Sequence, residues 1–317
     1  MDIPDELKKS IDKLLNKNKT NKIVENAQRI SERYRNNDGK GKRLLTEKDE
    51  AISYAISRMP ATFGAVYSAF QHTLENYNEK LESLLDIGAG TGSATWAINE
   101  LVSLNEVKCF ERENSMINIG KQIMDNTELS GVEWRKYDIL LDEIKEKADI
   151  VVTSYMINEL PESEREETIQ KLWNATSKIL IIIEPGTPDG FKNILKIREK
   201  LLKDGGYVIA PCSHQGKCMI EKDDWCAFYT RIARSNIHRQ AKKGELAYED
   251  EKFSYIAFSK IKVENKSARI LRHPQIFKGY IKVKLCTEDG IQDKVFSKKD
   301  GEIYKMIRKL DAGEKIV

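Results

Sequence analysis

The sequence predicts an α/β fold: a doubly wound sheet preceded by a helical N-terminal region and followed by a small, basic, β-rich module. Three observations predict it. From Leu84 onward, short apolar runs alternate with amphipathic helical patterns, as a parallel sheet with crossover helices requires. The first of these runs ends in three alternating glycines, Gly88, Gly90 and Gly92, which suit a tight strand-to-helix turn. Charge is also uneven. The 317 residues carry a formal net charge of only +3, yet residues 260–317 hold fifteen Lys/Arg against eight Asp/Glu, and residues 191–243 twelve against five. A basic excess of this kind is the electrostatic footprint of a surface that meets nucleic acid, although a solvated lysine-rich face would carry the same charge.

Residues 1–80 read as helices. Over 5–15 and 21–34, apolar residues recur at steps of three and four between long charged side chains. Asn36-Asn37-Asp38-Gly39-Lys40-Gly41 breaks the pattern as a loop. Thr46-x-x-Asp49 then resembles a capping box for a helix holding Ala51, Ile52, Tyr54, Ala55 and Ile56. Pro60 must end or kink that helix, and a second runs over 63–77. Met59, Pro60 and Thr62 stand where they would either close over a ligand or pack helix on helix. Strands are expected near 84–87, 107–111, 132–135, 149–154, 179–184, 207–211 and 254–260, with helices near 92–103, 114–126, 163–176 and 189–204. The domain organisation that follows is a helical region over 1–80, a sheet domain over 81–260 with an insertion at 211–250, and a basic module over 261–317. No apolar run approaches the length of a membrane span, and the acidic start lacks the features of a signal or transit peptide. A cytoplasmic monomer with no membrane partner is expected.

Leu84-Leu85-Asp86-Ile87-Gly88-Ala89-Gly90-Thr91-Gly92 is the most informative run. Its G-x-G-x-G spacing differs from the G-x-G-x-x-G of dinucleotide sites. With Asp86 ahead of the glycines, it resembles the first motif of the S-adenosylmethionine (SAM) methyltransferases, and the seven expected strands then suit a Rossmann-like methyltransferase sheet whose last strand is antiparallel. The chemistry fits the spacing. Asp86 can hold the ammonium of the cofactor's amino-acid end while free amides of the turn approach its carboxylate. Glu111, 25 residues further on at the end of the second strand, is placed to accept both ribose hydroxyls. Asp138, after the third strand, stands either to accept from the adenine amino group or as a surface Asp in a turn.

Thr153-Ser154-Tyr155-Met156-Ile157-Asn158-Glu159-Leu160 closes the fourth strand, where open sheets bind ligands and where a reacting methyl should sit. Tyr155, Asn158 and Glu159 are the catalytic candidates. The segment lacks the Asp/Asn-Pro-Pro-Tyr/Phe of amino-group methyltransferases acting on nucleic acids. It also lacks the nucleophilic Cys that carbon-5 pyrimidine chemistry needs, and Cys109, on the second strand, reads as core. Methyl transfer is an in-line displacement that positioning can accelerate, so the residues at this tip leave the step open.

A second constellation is Cys212, Cys218 and Cys226, joined much later by Cys286. Clustered thiols in an intracellular chain point to metal or catalysis. No C-x-x-C knuckle is present, so the wider spacings favour a [4Fe–4S] cluster over zinc, with unligated buried thiols the remaining reading. Ile183-Glu184-Pro185-Gly186-Thr187, Pro211-Cys212-Ser213-His214, Asp224-Trp225-Cys226 and Glu249-Asp250-Glu251-Lys252-Phe253-Ser254-Tyr255 form a distinctive series, which Arg272 and Leu285-Cys286-Thr287 extend into the tail. The series resembles the methyltransferase-like family associated with the small ribosomal subunit, over roughly residues 45–310. That resemblance implies SAM binding, a role in small-subunit assembly with small-subunit rRNA or a pre-ribosomal particle as partner, and an iron–sulfur site at Cys212, Cys218, Cys226 and Cys286. Either an rRNA methyltransferase or a non-catalytic assembly factor would carry these features. Phe228, Tyr229, Arg231, Arg234, His238, Arg239, Lys242 and Lys243 interleave aromatics with cations and form the expected RNA face, or else a helix with a packed aromatic side. The acidic run Glu249-Asp250-Glu251 is expected to face either the basic tail or the cysteine loop.

Overall fold

The structure, a computed structural model, describes residues 1–16, 20–35, 47–221, 223–234, 239, 246–264 and 267–316. It divides into two compact units. The first comprises Met1–Ser68, Lys80–Lys178 and Thr230–Glu251, and the second Ala69–Glu79, Ile179–Tyr229 and Lys252–Val317. Among the described residues no helix is long and apolar enough to cross a membrane.

Four helices open the chain: α1 (Asp5–Asn16), α2 (Thr20–Arg35), α3 (Lys48–Ser57) and α4 (Met59–Leu74). The expected period holds in α1, which buries Leu7, Ser10, Ile11, Leu14 and Leu15 along one face. Asn36–Gly41 and Thr46 lie outside the described residues. The capping box at the start of α3 is instead made by Glu47 and Glu50, one residue later than the expected Thr46-x-x-Asp49. Pro60 falls in the first turn of α4, where its missing N–H costs no helical bond.

In the first unit β1 (Ser83–Ile87), β2 (Glu106–Glu111), β3 (Glu133–Lys136) and β4 (Ala148–Ser154) form a parallel half-sheet in the order β3-β2-β1-β4. Crossovers α5 (Ser93–Asn99) and α6 (Asn114–Met124) join them, and α7 (Glu162–Ala175) follows β4. The central strand β1 is nearly continuous apolar sequence because its neighbours cover both edges and helices cover its faces. In the second unit β5 (Thr176–Pro185), α8 (Pro188–Lys203) and β6 (Tyr207–Ala210) come next. After β7 (Phe228–Ala233), the long β8 (Tyr248–Ser259) runs antiparallel to both β5 and β6 and separates them, giving the order β5-β8-β6. The parallel 3-2-1-4 half and the reversed last strand between 5 and 6 are the two halves of the methyltransferase strand order.

All seven expected strands are present, and among the described residues the larger sheet has eight. Phe228–Ala233 is a strand, not a helix, with Phe228, Thr230 and Ile232 turned inward and Tyr229, Arg231 and Ala233 outward. Period-two burial of an aromatic and two β-branched residues outweighs the helical pattern of its cations.

The C-terminal residues form a second, antiparallel sheet of β9 (Ala268–Ile270), β10 (Gln275–Ile276), β11 (Tyr280–Thr287), β12 (Gly290–Ser297) and β13 (Lys315–Ile316), with a short helix α9 (Glu302–Ile307). Its core consists of Ile270, Ile281, Val283, Leu285, Tyr304, Ile307 and Ile316. Lys282 and Lys284 alternate with the inward residues of β11, so the basic character predicted for this module belongs to its outer face.

Candidate cofactor site and cysteine cavity

Asp86 lies on β1, registered with Cys109 of β2 and Val152 of β4, and is wholly buried. Its Oδ2 accepts from the Thr95 amide at 3.2 Å and from the Thr95 hydroxyl at 2.9 Å, whereas its buried Oδ1 has no partner. Burial outweighs these bonds and pushes the carboxyl up to about 7. The turn hydroxyl of Thr91 and that of Thr153 near the end of β4 are likewise buried without partners. Three orphaned oxygens around one glycine turn are what a polar ligand would satisfy. Cys109 beside them is core, as expected; burial holds its thiol well above the usual range.

Glu111 ends β2 and ties the turn down. Oε2 accepts from the Gly90 amide at 2.9 Å and Oε1 from the Glu113 amide at 2.8 Å, leaving each oxygen further acceptor capacity for a hydroxyl. Burial raises its carboxyl above the ordinary value despite those bonds. Gly88, Gly90 and Gly92 all take left-handed backbone, with φ of +70°, +58° and +87°. A Cβ at Gly88 would stand 2.7 Å from the Met156 sulfur. At Gly90 its nearest neighbours would be Met116 Cε at 3.5 Å and Tyr54 Cε1 at 3.9 Å, ordinary contact distances, so that side of the turn is lined by these two side chains without a clash. Asp86, Gly88, Gly90, Gly92 and Glu111 thus stand about one turn, and the unpartnered oxygens there suit a small polar ligand. Asp138 is half-buried, and its Oδ1 accepts from the Leu140 amide at 3.1 Å.

At the tip of β4, Tyr155 sits at φ +60°, a left-handed conformation that is strained for an aromatic residue. Its hydroxyl donates to Glu251 Oε1 at 2.9 Å, and Arg58 grips the same carboxylate in a fork at 3.1 and 3.4 Å. The carboxylate holds the Arg58 guanidinium above its ordinary range. Burial, aided by the Glu251 charge, pushes the Tyr155 phenol well up, and burial lifts nearby Tyr54 to about 12. Asn158 and Glu159 are half-buried on a single 3-10 turn, Ile157–Glu159. Thr95 and Arg58 carry no signal in the sequence reading, and Glu251 enters it only as part of the acidic run. Within the acidic run, Glu249 pairs with Arg234, Asp250 with Arg231, and Glu251 with Arg58.

Within the second unit, Cys212, Cys218, Cys226 and Cys286 line one cavity, together with Arg198 and His214. All are free thiols. Arg272 donates to the Trp225 carbonyl at 2.7 Å and Ser254 to the Cys226 carbonyl at 2.7 Å, fixing the segment that delivers Cys226. Cys286 arrives from β11, registered with Arg269 of β9 and Ile291 of β12. Among the described residues no three His, Cys, Asp or Glu side chains already stand close enough to hold a metal ion. The donor set of four thiols in one apolar cavity nonetheless fits a thiolate-bound metal centre.

The expected RNA face is only partly exposed. Phe228 is buried against Phe253 and Tyr255, with ring centroids 6.3 and 5.4 Å away, and is not available to stack a base. Tyr229 is exposed. Arg231 lies over the Tyr248 ring at 4.0 Å. His238, Lys242 and Lys243 lie outside the described residues.

The half-sheets, the glycine turn with its two acids and the reversed last strand place this chain in the class of methyltransferase-fold α/β proteins. Comparison with known families goes further: the chain belongs to the family described as mitochondrial small ribosomal subunit Rsm22, which it matches over residues 48–316. A curated relative is the human ribosome assembly protein METTL17, mitochondrial, 27% identical over 266 residues. The match covers 76% of this chain and 56% of METTL17, so the chain spans little more than half of that protein's length. Solved structures similar in part include magnesium protoporphyrin IX methyltransferase of Synechocystis PCC 6803 with bound SAM (13% identity, 73% of this chain, 90% of that one, TM-score 0.41). Another is the YcgJ protein of Bacillus subtilis (12% identity, 62% and 99% coverage, TM-score 0.40). Likenesses of this size carry no functional argument.

Proposed function

We propose that the chain is a SAM-binding, methyltransferase-like factor that acts in assembly of the small ribosomal subunit, with small-subunit rRNA or a pre-ribosomal particle as its partner and methyl transfer to that rRNA as its candidate reaction. The observation that carries the cofactor reading is the buried, unpartnered Oδ1 of Asp86 on the strand that leads into the glycine turn, whose Gly90 amide is held by the Glu111 carboxylate. Asp86 would meet the ammonium, the turn amides the carboxylate, and Glu111 the ribose hydroxyls, with Asp138 toward the adenine. When bound, SAM supplies an electrophilic methyl on a sulfonium. Family membership supports the assembly role. We assign Cys212, Cys218, Cys226 and Cys286 as the thiolates of a [4Fe–4S] cluster, with zinc as the alternative. Their shared cavity supports this assignment, which would fasten β11 of the basic module to the segments bearing the other three thiols.

A second reading, a non-catalytic assembly factor, is favoured by the strand-four tip. There Tyr155 is engaged by Glu251, and Glu251 by Arg58, so the only phenol among the catalytic candidates is committed to an internal bond. Radiolabelled methyl transfer to purified small subunits and their precursors separates the two, with Asp86→Ala as control. Label that depends on Asp86 supports the enzyme. Intact SAM binding without label supports the assembly factor, and absence of SAM binding by folded protein overturns both.

A further inference from the structure

The cavity that gathers the four thiols also holds a cation with no carboxylate partner among the described residues. Arg198 projects from the buried face of α8, among Phe191, Ile194, Ile197 and Leu201, and is 2% exposed. Nη2 donates to the His214 carbonyl at 2.9 Å, but Nε is buried without a partner, and among the described residues no carboxylate pairs with the guanidinium. A guanidinium does not lose its proton in a protein. Buried charge persists where something compensates it. With neutral thiols the cavity offers no compensation. With four thiolates around a metal, the centre is net negative and needs a counter-charge.

We propose that Arg198 is the built-in counter-cation of an anionic metal–thiolate centre at Cys212, Cys218, Cys226 and Cys286, a positioning residue with its Nε–H free for a sulfur of that centre. This rests on the metal assignment made above and adds the residue that sets the centre's charge balance. Such supporting groups commonly govern affinity as strongly as a weak ligand does.

The test uses full-length protein as wild type, Arg198→Met and Arg198→Lys, each reconstituted anaerobically with iron and sulfide and, separately, with zinc. Metal content, visible absorption, loss to a chelator and, for the iron form, the midpoint potential are read, with circular dichroism as a folding control. Arg198→Met keeps the apolar stem and should release metal roughly 10- to 100-fold more readily. Its iron centre should shift to a more negative potential, because the added electron loses a stabilising positive charge. Arg198→Lys keeps the charge and should stay near wild type. Unchanged retention and potential in Arg198→Met overturns the counter-cation while leaving the centre standing. Equal loss in Met and Lys variants overturns the charge argument. Wild type that takes up neither iron nor zinc overturns the metal assignment, and the counter-cation with it.

Discussion

Asp86→Asn separates what the carboxylate costs the fold from what it does for a ligand. In the folded chain burial raises this carboxyl from its ordinary 3.8 to about 7. Between those values the folded state keeps a proton that the unfolded state releases, so wild-type stability is full below pH 4 and declines as pH rises through 7. The span corresponds to about 4 kcal/mol, an upper figure for a site that relaxes on ionisation. Asparagine can still accept from Thr95 and carries no charge. Asp86→Asn should therefore be more stable than wild type at pH 8 by up to about 4 kcal/mol and should lose the decline between about pH 4 and 7. Urea titrations at several pH values measure both. SAM affinity should move the opposite way. Between pH 5.5 and 7 the ionised fraction of a group with a pKa near 7 rises from about 3% to about half, so wild-type affinity should increase roughly 15-fold, with proton release on binding. Calorimetry in buffers of different ionisation enthalpy reads both quantities. Affinity flat across that range, or undiminished in Asp86→Asn, would refute Asp86 as the ammonium partner.

Three further outcomes are expected. Glu251→Ala strips Arg58 and Tyr155 of their shared acceptor; because Arg58 retains some solvent contact, the loss should be about 2–3 kcal/mol in urea unfolding, below the range for fully buried pairs. Gly88→Ala places a Cβ 2.7 Å from the Met156 sulfur at φ +70°, which should cost about 1–2 kcal/mol and weaken SAM binding measured by calorimetry. Ile307→Ala opens a hole in the C-terminal core where the side chain is wholly buried; about 2–5 kcal/mol of destabilisation should appear in that module's hydrogen exchange.

The sheet and the glycine site were legible in the sequence because they depend on local requirements. Left-handed backbone at Gly88, Gly90 and Gly92 demands glycine, and an acid at a strand end can be counted from the first strand. β7 was not legible as a strand, since six residues mixing aromatics and cations satisfy either period until burial decides. Arg58 and Glu251 meet across 193 positions, a separation with no local signature. Arg198 carries no sequence signal of its own, and only tertiary packing puts it on the buried side of α8. Thr95 was hidden for a simpler reason: a threonine one turn into a helix is unremarkable until an acid is found beneath it.

Cys286 sits on a rung of β11 whose backbone is laddered to β9 on one side and β12 on the other. Whatever happens to that sulfur is thus wired directly into the hydrogen-bond scaffold of the C-terminal sheet. Amide protection along Tyr280–Thr287 becomes a gauge of the cavity's contents, legible by mass spectrometry without touching the thiols. On the metal assignment proposed above, the supply of metal in a cell would be transduced into the rigidity of a lysine-studded surface.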